Sequence, residues 1–452
     1  MSFNTLPPLF EEAMQNRLSG AFSDFVQSLK EVPPVSIRLN PRKNCTHEGL
    51  EKIQWSQFGR YLTERPVFTL DPELHGGTYY VQEASSMFLE QAFLQVVDQS
   101  RSIKVLDLCA APGGKSTHLQ SLLNDQSLLV SNEVIRPRAS ILCENVQKWG
   151  YCNAVVTNND PADFQKLQGF FDLIVVDAPC SGEGLFRKDP KAMNEWSAAN
   201  VALCSKRQRR ILGDVWPALK QGGILIYSTC TYNELENEEN LAWLKKEHEV
   251  ESVKLKFDNQ WGIENSNTNG IDGYRFYPHQ VKGEGFFISV IRKLGEEDEV
   301  RIKGHSAFTP PSTKILSQLN EWILKSEEKS FINRNHQFQF FPKDKLHEIE
   351  FLAKNLYLLS AGTVIATAKH DKLIPEHPLA LSTELNKANF NRIELELNDA
   401  LRYLRKETLA IQDSKKGFSL MSYQNTPLGW ANVLDNRINN LYPSDWRIRM
   451  AG

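Results

Sequence analysis

The stretch Val105-Leu106-Asp107-Leu108-Cys109-Ala110-Ala111-Pro112-Gly113-Gly114-Lys115-Ser116 joins an apolar, strand-like run to a turn of small residues. Further strand-like runs follow it at residues 128–130, 154–156, 173–176 and 224–227, separated by segments of helical length. Such alternation is typical of βαβ units, in which parallel strands form one sheet and helices cover its faces. The sequence therefore predicts an α/β fold built on an open parallel sheet.

The length of 452 residues exceeds what one hydrophobic core usually organises, so several domains are expected. A small mixed segment precedes the alternating region, and a polar, turn-rich stretch follows it. We predict an N-terminal α+β domain at residues 1–75, the sheet domain at 76–294, a linker at 295–312, an intermediate domain at 313–380, and a final α+β or β-rich domain at 381–452.

The composition bounds the class of protein. Apolar residues make up 41% of the chain and charged residues 24%, which is ordinary for a globular protein. No run approaches the roughly 18 apolar residues that a membrane-spanning helix needs. The start of the chain has no basic segment leading into an apolar one, and the seven cysteines include no C-x-x-C pair. We therefore expect a cytoplasmic protein with reduced thiols and no membrane contact.

Charge is distributed unevenly along the chain. Residues 301–452 contain 21 Lys and Arg against 16 Asp and Glu, whereas the whole chain has a net charge of -3. A basic C-terminal part is compatible with a module that contacts nucleic acid, and equally with ordinary surface variation.

The small-residue turn after the first strand suggests a nucleotide site. It nearly matches the phosphate-binding G-x-x-x-x-G-K-[ST] loop, but Cys109 stands where the first glycine is required. It also lacks the G-x-G-x-x-G of dinucleotide folds. Acidic residues end the next two strands, Glu133 and Asp160, where a carboxylate can accept ribose hydroxyls. This pattern favours an adenosine ligand without a pyrophosphate, such as S-adenosylmethionine, although each acid could instead cap a helix.

Two cysteines, Cys180 and Cys230, each lie just beyond a strand-like run. Ligands bind at the carboxyl ends of parallel strands, so a thiolate at either position could attack an electrophilic carbon. A free cysteine is more often a small buried apolar residue, and we assign that role to four others. These are Cys45, Cys143, Cys152 and Cys204. No second Cys or His lies at ligand spacing near Cys180 or Cys230, so a zinc site is not expected.

Taken together, these residues resemble the Sun-type (Nop/Sun) RNA cytosine-C5 methyltransferases, especially the bacterial subgroup that acts on small-subunit ribosomal RNA. The resemblance spans residues 30–293, and four motifs carry it. These are Asp107 to Lys115, Asn132-Glu133, Asp177-Ala178-Pro179-Cys180-Ser181-Gly182-Glu183-Gly184, and Ser228-Thr229-Cys230-Thr231-Tyr232 with Glu236-Asn237-Glu238. The segment 427–443 is similar to the PUA-like RNA-binding end of that subgroup. The resemblance implies a Rossmann-like methyltransferase sheet between an N-terminal accessory domain and C-terminal RNA-binding domains.

The resemblance also implies a role for each site residue, with S-adenosylmethionine as cofactor. The loop around the methionine part of the cofactor comprises Cys109, Ala110, Ala111, Pro112, Gly113, Gly114 and Lys115. Glu133 contacts the ribose, Asp160 lies near the adenine, and Asp177 borders both cofactor and base. Cys230 corresponds to the nucleophile, and Cys180 to the cysteine that helps release the product.

The expected chemistry follows from the weak nucleophilicity of cytosine carbon 5. Addition of the Cys230 thiolate at carbon 6 makes an enamine whose carbon 5 can take a methyl group. Asp177, protonated or sharing a proton, would hydrogen-bond the ring near N3. The proton on carbon 5 must then leave so that the enzyme's sulfur is expelled, and Cys180 can act as base or relay.

RNA contacts need basic and aromatic side chains near the site. We predict that Arg187 and Lys188, just beyond Cys180, contact the target strand. The basic run 206–210 lies in a helix-like stretch and is divided between solvated surface and substrate contact. Trp430 and Trp446 are expected to fill a small core rather than to stack on bases.

The resemblance implies 16S ribosomal RNA as substrate. Transfer RNA remains an alternative, and so does a non-catalytic ribosome-assembly factor that binds RNA. We expect no metal, and a monomer, because no heptad seam demands a partner.

Overall fold

A computed structural model describes residues 6–295, 308–334, 336–370, 372–409, 415–435 and 437–450. Most of the predicted linker at 295–312 therefore lies outside the described residues. The helices are α1 (Pro8–Leu18), α2 (Phe22–Lys30), α3 (Pro72–His75), α4 (Leu89–Val96), α5 (Gly114–Leu122), α6 (Arg136–Trp149), α7 (Pro190–Glu195), α8 (Ala198–Val215), α9 (Glu238–Glu247), α10 (Thr313–Trp322), α11 (Leu346–Asn355), α12 (His377–Leu381) and α13 (Leu397–Leu404).

The strands belong to four sheets. They are β1 (Val35–Leu39), β2 (Gly59–Leu62), β3 (Tyr79–Val81), β4 (Lys104–Asp107), β5 (Leu128–Asn132), β6 (Ala154–Thr157), β7 (Phe171–Asp177), β8 (Leu219–Thr229), β9 (Val250–Ser252), β10 (Glu264–Thr268), β11 (Ile271–Phe276), β12 (Phe286–Lys293), β13 (Lys329–Arg334), β14 (Gln337–Pro342), β15 (Leu358–Ala361), β16 (Thr363–Lys369), β17 (Lys372–Pro375), β18 (Asn391–Glu394), β19 (Gly417–Tyr423), β20 (Thr426–Val433) and β21 (Ile438–Asn440).

The central sheet has the strand order β10-β11-β12-β8-β7-β4-β5-β6-β15, with β9 paired to β12 beside this path. Strands β8, β7, β4, β5 and β6 are parallel to one another, whereas β12 and β15 pair antiparallel with the two outer strands of this set, β8 and β6. The chain runs from β4 to β5 and β6 on one side, then returns to β7 on the other side of β4. This reversal opens a crevice at the carboxyl ends of β4 and β7, where α/β sheets bind ligands. The predicted α/β fold with a Rossmann-like sheet is confirmed.

Nearly continuous apolar strands form this sheet because helices bury both of its faces. Leu106 and Val130 face one hydrophobic core, whereas their neighbours Val105 and Leu129 face the other. Each of these fully buried side chains contributes roughly 1.5–3 kcal/mol of transfer free energy. The alternation fixes the strand register, and the register fixes which residues emerge at the carboxyl edge.

The C-terminal part of the chain adds an edge strand to the central sheet. Strand β15 pairs antiparallel with β6, and the amide of Asn158 donates to the carbonyl of Tyr357 at 3.1 Å. Leu356 and Leu358 enter the core of the sheet domain. Residues 313–380, expected as a domain of their own, are thus joined to the central sheet, because apolar β15 covers the otherwise open edge of β6.

The N-terminal part forms a three-stranded antiparallel sheet in the order β2-β1-β3. This sheet continues past residue 75, because β3 pairs with β1. Helices α1 and α2 pack on the loops that follow β7 and β8, through a cluster that includes Phe10, Phe25, Phe186 and Tyr232.

The remaining strands form two four-stranded sheets, β13-β14-β16-β17 and β18-β19-β20-β21. Trp430 is fully buried and its indole N–H donates to the carbonyl of Glu376 at 2.9 Å, so the predicted core role is confirmed for this residue. Trp446 is partly buried and packs edge-on against His377. Among the described residues, no helix is both long and apolar enough to cross a membrane.

Candidate active site

Three adjacent strands, β8, β7 and β4, bring the predicted site residues to one edge of the sheet. The register pairs Asp107 with Val175, and Asp177 with Ser228. The turn after β4, the cysteine after β7 and the cysteine after β8 therefore emerge side by side, although about 120 residues separate the first from the last. This arrangement follows from parallel strands in register, since their carboxyl ends meet at the same edge.

The sulfur atoms of Cys180 and Cys230 lie 3.1 Å apart, within hydrogen-bonding distance, and both thiols are free. The hydrogen bond to Cys230, together with burial, raises the pKa of the Cys180 thiol well above its ordinary value. Cys180 therefore keeps its proton at neutral pH, and either sulfur atom can donate the hydrogen bond that joins the pair.

The loops that carry the two cysteines are fastened to each other. The amide of Gly184 donates to the carbonyl of Cys230 at 2.9 Å. A Cβ atom at Gly184 would lie 2.3 Å from the carbonyl oxygen of Gly285, so only glycine allows this approach. Buried Glu183 accepts from the amide of Tyr232 at 3.1 Å. These contacts hold the two sulfur atoms in a defined relative position.

Glu236 anchors the loop that carries Cys180 through hydrogen bonds. Its carboxylate accepts from the amide of Ser181 at 2.9 Å, from the Ser181 hydroxyl at 2.5 Å, and from Gln208 at 3.0 Å. Burial raises the pKa of Glu236, although the hydrogen bonds from Ser181 and Gln208 oppose that shift. The motif was visible in the sequence, but this anchoring role was not, because it depends on a partner 55 residues away.

Lys115 and Asp177 form an ion pair in the crevice, with 2.7 Å between Nζ and Oδ2. The Lys115 side chain is 12% exposed and that of Asp177 35%. Burial disfavours the charged lysine, but Asp177 more than offsets it, so the pKa of Lys115 is raised. The other oxygen of Asp177 accepts from Ser228 Oγ at 2.8 Å. A fixed cation therefore lies beside the carboxylate and within electrostatic range of Cys230.

The turn after β4 leaves room for a ligand against the backbone. Gly113 has a φ of 118° at the start of α5, a conformation that favours glycine. Arg138 donates to the carbonyl of Ala111 at 2.8 Å, and Asn145 donates to that of Pro112 at 2.8 Å. The turn is therefore held by two side chains of α6.

Asp107 offers a free acceptor at the bottom of this turn. One oxygen accepts from Ser116 Oγ at 2.7 Å, whereas the buried Oδ1 has no partner among the described residues. Burial raises the pKa of this carboxyl to about 7, against the opposing effects of Ser116 and Lys115. An unpartnered buried acceptor fits a cationic amino group, such as that of the methionine part of S-adenosylmethionine.

Glu133 and Asp160 end the two neighbouring strands as the sequence predicts. Glu133 is buried, accepts from the amide of Ile135 at 2.9 Å, and lies 3.4 Å from Arg138. Asp160 caps a short 3-10 helix by accepting from the amide of Ala162 at 3.1 Å, and it also pairs with Arg210. Asp160 therefore caps a helix, which was one of the two roles considered from the sequence. The other role, a position near the adenine of the cofactor, stays a prediction.

Arg187 does not face the solvent, and the prediction that it contacts the target strand is wrong. Its guanidinium lies 3.0 Å from Glu284, with the two side chains 4% and 2% exposed. It also donates to the carbonyl of Gly283 at 2.6 Å. A buried carboxylate needs a buried counter-charge, and Arg187 supplies it. Lys188 remains partly exposed, 3.6 Å from Glu284.

Part of the basic run 206–210 also has structural partners. Arg209 donates to Asn240 at 2.8 Å, and Arg210 pairs with Asp160 and Asp214. Lys206 and Arg207 are exposed on α8. The exposed part of this run agrees with the predicted solvated surface, the structural partners of Arg209 and Arg210 were not predicted, and substrate contact stays a prediction.

The four cysteines predicted to pack as apolar residues are buried or partly buried, and burial is the largest cause that raises their pKa values.

One contact that supports the site was not predicted from the sequence. Arg38 is fully buried and donates to Thr117 Oγ1 at 2.6 Å and to the carbonyl of Gly114 at 3.2 Å, at the start of α5. Only the contact of β1 with α5 in the folded chain shows that Arg38 supports the turn.

This fold and crevice define the chain as a Rossmann-like methyltransferase. The family model described as 16S rRNA methyltransferase RsmB/F matches residues 92–292. Models of the N-terminal domain and of the PUA domain of methyltransferase RsmF match residues 6–84 and 390–448.

Curated relatives match nearly the whole chain. A ribosomal RNA small subunit methyltransferase F of Shewanella loihica is 32% identical over 91% of this chain and 88% of its own length. One of Aliivibrio fischeri is 31% identical over 96% and 95%. The chain therefore belongs to the RsmB/F family of 16S rRNA methyltransferases.

Solved structures share the fold. A methyltransferase homologue from Pyrococcus horikoshii is 28% identical, with a TM-score of 0.55, over 64% of this chain and 95% of that one. NSun6 from Pyrococcus horikoshii with SFG is 19% identical, with a TM-score of 0.53, over 64% and 99%.

Proposed function

We propose that this protein transfers a methyl group from S-adenosylmethionine to carbon 5 of a cytosine in 16S ribosomal RNA, through a covalent bond between Cys230 and carbon 6. The observation that carries the proposal is the 3.1 Å contact between the Cys180 and Cys230 sulfur atoms at the carboxyl edge of the sheet. Two thiols in contact suit a reaction that needs a nucleophile and a separate acid or base.

S-adenosylmethionine, when bound, supplies an electrophilic methyl group. In the proposed arrangement the residues Cys109, Ala110, Ala111, Pro112, Gly113, Gly114 and Lys115 surround its methionine part. Glu133 accepts the ribose hydroxyls, Asp160 lies near the adenine, and Asp177 borders cofactor and base. Two features support this arrangement: the unpartnered Oδ1 of Asp107 and the SFG, an S-adenosylmethionine analogue, named with the NSun6 structure.

The first step joins the Cys230 sulfur to carbon 6 of the base and makes carbon 5 electron-rich. The proton that the Cys230 thiol gives up passes through Asp177 to the ring near N3, where it stabilises the charge that develops. Lys115 orients Asp177 through the 2.7 Å ion pair. From this step onward the Cys230 sulfur is a neutral thioether, which accepts a proton from Cys180 less readily than a thiolate does. Carbon 5 then takes the methyl group, and the sulfonium of the cofactor leaves as the neutral thioether of S-adenosylhomocysteine.

The second step removes the proton from carbon 5. Because Cys230 is the largest cause of the raised pKa of Cys180, its covalent attachment to the base lowers the pKa of Cys180. The Cys180 thiol can then release its proton to solvent, and the resulting thiolate takes the proton from carbon 5. The carbon 5–carbon 6 double bond reforms as the sulfur–carbon 6 bond breaks, and the proton near N3 returns to Asp177. Cys230 regains its electron pair, and the methylated base leaves.

The test measures transfer of label from methyl-tritiated S-adenosylmethionine to 16S RNA, followed by nucleoside analysis for 5-methylcytosine. We expect no transfer by Cys230→Ala, and a denaturation-resistant protein–RNA adduct with Cys180→Ala. Cys204→Ala, a buried cysteine outside the crevice, is the matched control and should methylate normally. Transfer by Cys230→Ala would contradict the assigned nucleophile, and label on another base would contradict the cytosine target.

Naked 16S RNA, assembled small subunits and transfer RNA should be offered in competition. Preferential labelling of transfer RNA would favour that alternative substrate. RNA binding without transfer to any of the three would favour an assembly factor. We also propose residues 381–452 as a PUA-like RNA-binding domain, supported by the family match to 390–448.

A further inference from the structure

A small polar cavity of about 150 Å³ lies where three parts of the chain meet, far along the sequence from the cysteines. Residues 42–44, 76 and 78 of the N-terminal part form one wall, residues 380–383 and 387 form another, and residues 425–427, at the end of the β19–β20 turn and the start of β20, form the third. None of the described residues that line it is acidic, and three are basic: Arg42, Lys43 and Lys387.

Two ammonium groups in this cavity lack carboxylate partners. Lys43 Nζ donates to the carbonyls of Gly76 and Lys148 at 2.9 and 2.7 Å, which leaves one N–H available. Burial and the charge of Lys387 lower the pKa of Lys43 to about 7. The ammonium of Lys387 has no hydrogen bond or ion pair within the described part of the chain, and burial and Arg392 lower its pKa. The cations therefore repel each other across the cavity.

An anion would relieve this repulsion, and the uncharged donors nearby indicate which kind. The side-chain amides of Asn44 and Asn425 also line the cavity and can donate to oxygen atoms, whereas the hydroxyl of Thr383 already donates to the carbonyl of Gly150 at 3.3 Å. The volume suits one phosphate group and is below the roughly 300 Å³ at which pockets for drug-sized ligands begin. We propose that this cavity binds one phosphodiester group of the RNA substrate; the inference rests on the proposed function in taking RNA as the substrate.

The cavity and the cysteines lie at opposite edges of the central sheet. Lys148 and Gly150 come just before β6, whereas Cys230 comes just after β8, and these strands run in the same direction. A four-residue strand such as β6 is roughly 13 Å long. A phosphate in the cavity therefore belongs to RNA well away from the target nucleotide, and the contact favours a large folded RNA over a short hairpin.

The test compares RNA affinity in Lys387→Gln and Lys387→Glu with the unmodified protein. The matched control is Lys372→Gln, which removes an exposed lysine from the same C-terminal part of the chain. Binding of full-length 16S RNA and of a hairpin that carries only the target loop is measured over a range of salt concentrations, without methyl transfer. We expect Lys387→Glu to weaken binding of 16S RNA about tenfold and to reduce the salt dependence by about one counterion. The hairpin affinity and the control should not change.

Thermal unfolding separates this role from a structural one. Because Lys387 is repelled by neighbouring cations, Lys387→Gln should melt at the same or a higher temperature, whereas a packing role predicts a lower one. Three results would overturn the proposal: equal 16S affinity in Lys387→Glu and Lys372→Gln, equal weakening of the hairpin, or stabilisation by inorganic phosphate with RNA affinity unchanged in the variants. If the unmodified protein shows no salt-dependent RNA binding, the proposal that RNA is its substrate is overturned as well. If the variants bind RNA as expected but the unmodified protein transfers no methyl group, only the proposed reaction is contradicted.

Discussion

The Sγ atoms of Cys180 and Cys230 lie 3.1 Å apart, although 50 residues separate them along the chain. Each follows one of two adjacent parallel strands, β7 and β8, and the loops between them are joined by the Gly184 to Cys230 hydrogen bond. Either sulfur can donate the hydrogen bond to the other, so the protonation of Cys180 depends on its contact with Cys230.

Removing the Cys230 sulfur should make Cys180 more reactive. The hydrogen bond to Cys230 is the largest cause of the raised pKa of Cys180, and Cys230→Ala removes it while burial remains. Since the thiolate is the reactive form, we expect iodoacetamide to alkylate Cys180 about tenfold faster in this variant at pH 8, measured by peptide mass spectrometry. Cys204→Ala should leave the rate unchanged. An unchanged rate in Cys230→Ala would mean that burial alone retains the proton.

Asp107 should make stability fall as the pH rises. Its folded pKa of about 7 exceeds the ordinary 3.8, so between these values the folded protein holds a proton that the unfolded chain has lost. The free energy of unfolding therefore decreases from about pH 4 to about pH 7, by up to roughly 4 kcal/mol. Denaturant titrations at several pH values should show that Asp107→Asn removes this slope. Asp163→Asn, a more exposed acid, should retain it, and equal slopes in both variants would contradict the assignment.

Arg17 should support the loop of Cys230 from the N-terminal helix. It donates to the carbonyl of Tyr232 and pairs with Glu234 at 2.5 Å, two and four residues beyond Cys230. We expect Arg17→Ala to slow single-turnover methyl transfer about tenfold through misplacement of the loop. The affinity for S-adenosylmethionine, measured by calorimetry, should not change, and Arg17→Lys should restore part of the rate. Glu12→Ala, on the exposed side of the same helix, is the control. A comparable loss of cofactor affinity would indicate general disorder instead.

Arg187→Ala should destabilise the protein strongly, because it leaves Glu284 buried without its closest counter-charge. Breaking a buried ion pair on one side costs roughly 3–5 kcal/mol. Thermal and denaturant unfolding should show this loss, whereas Lys188→Ala, which removes a partly exposed cation, should cost much less. The double variant Arg187→Met with Glu284→Leu should recover most of the stability. A stable Arg187→Ala with weakened RNA binding would restore the role first predicted for this residue.

The sequence was most informative about the central sheet and its carboxyl edge. Apolar runs of strand length alternate with helical segments along the sequence, and the carboxyl ends of parallel strands lie at one edge of the sheet. Knowing only that Asp107, Asp177, Cys180 and Cys230 follow such runs was therefore enough to predict that they lie together.

It was least informative about charged side chains and about the outer strands. Arg187 was predicted to contact RNA, yet its partner Glu284 lies 97 residues away and both are buried. The sequence predicted that the residues of β15 belong to a separate domain, yet this strand pairs with β6 at the edge of the central sheet. Neither pairing leaves a local signal, because each depends on which distant segment packs alongside.

The sequence by itself thus determined the α/β class, the order of the strands along the chain and the set of residues at the crevice, because these follow from local periodicity and strand direction. Only the tertiary structure decided that Cys180 keeps a proton against Cys230, that Asp107 keeps one acceptor free, and that Lys43 and Lys387 share a cavity without a carboxylate. Protonation and pairing depend on burial and on the nearest charges, and both are set by segments that meet only when the chain has folded.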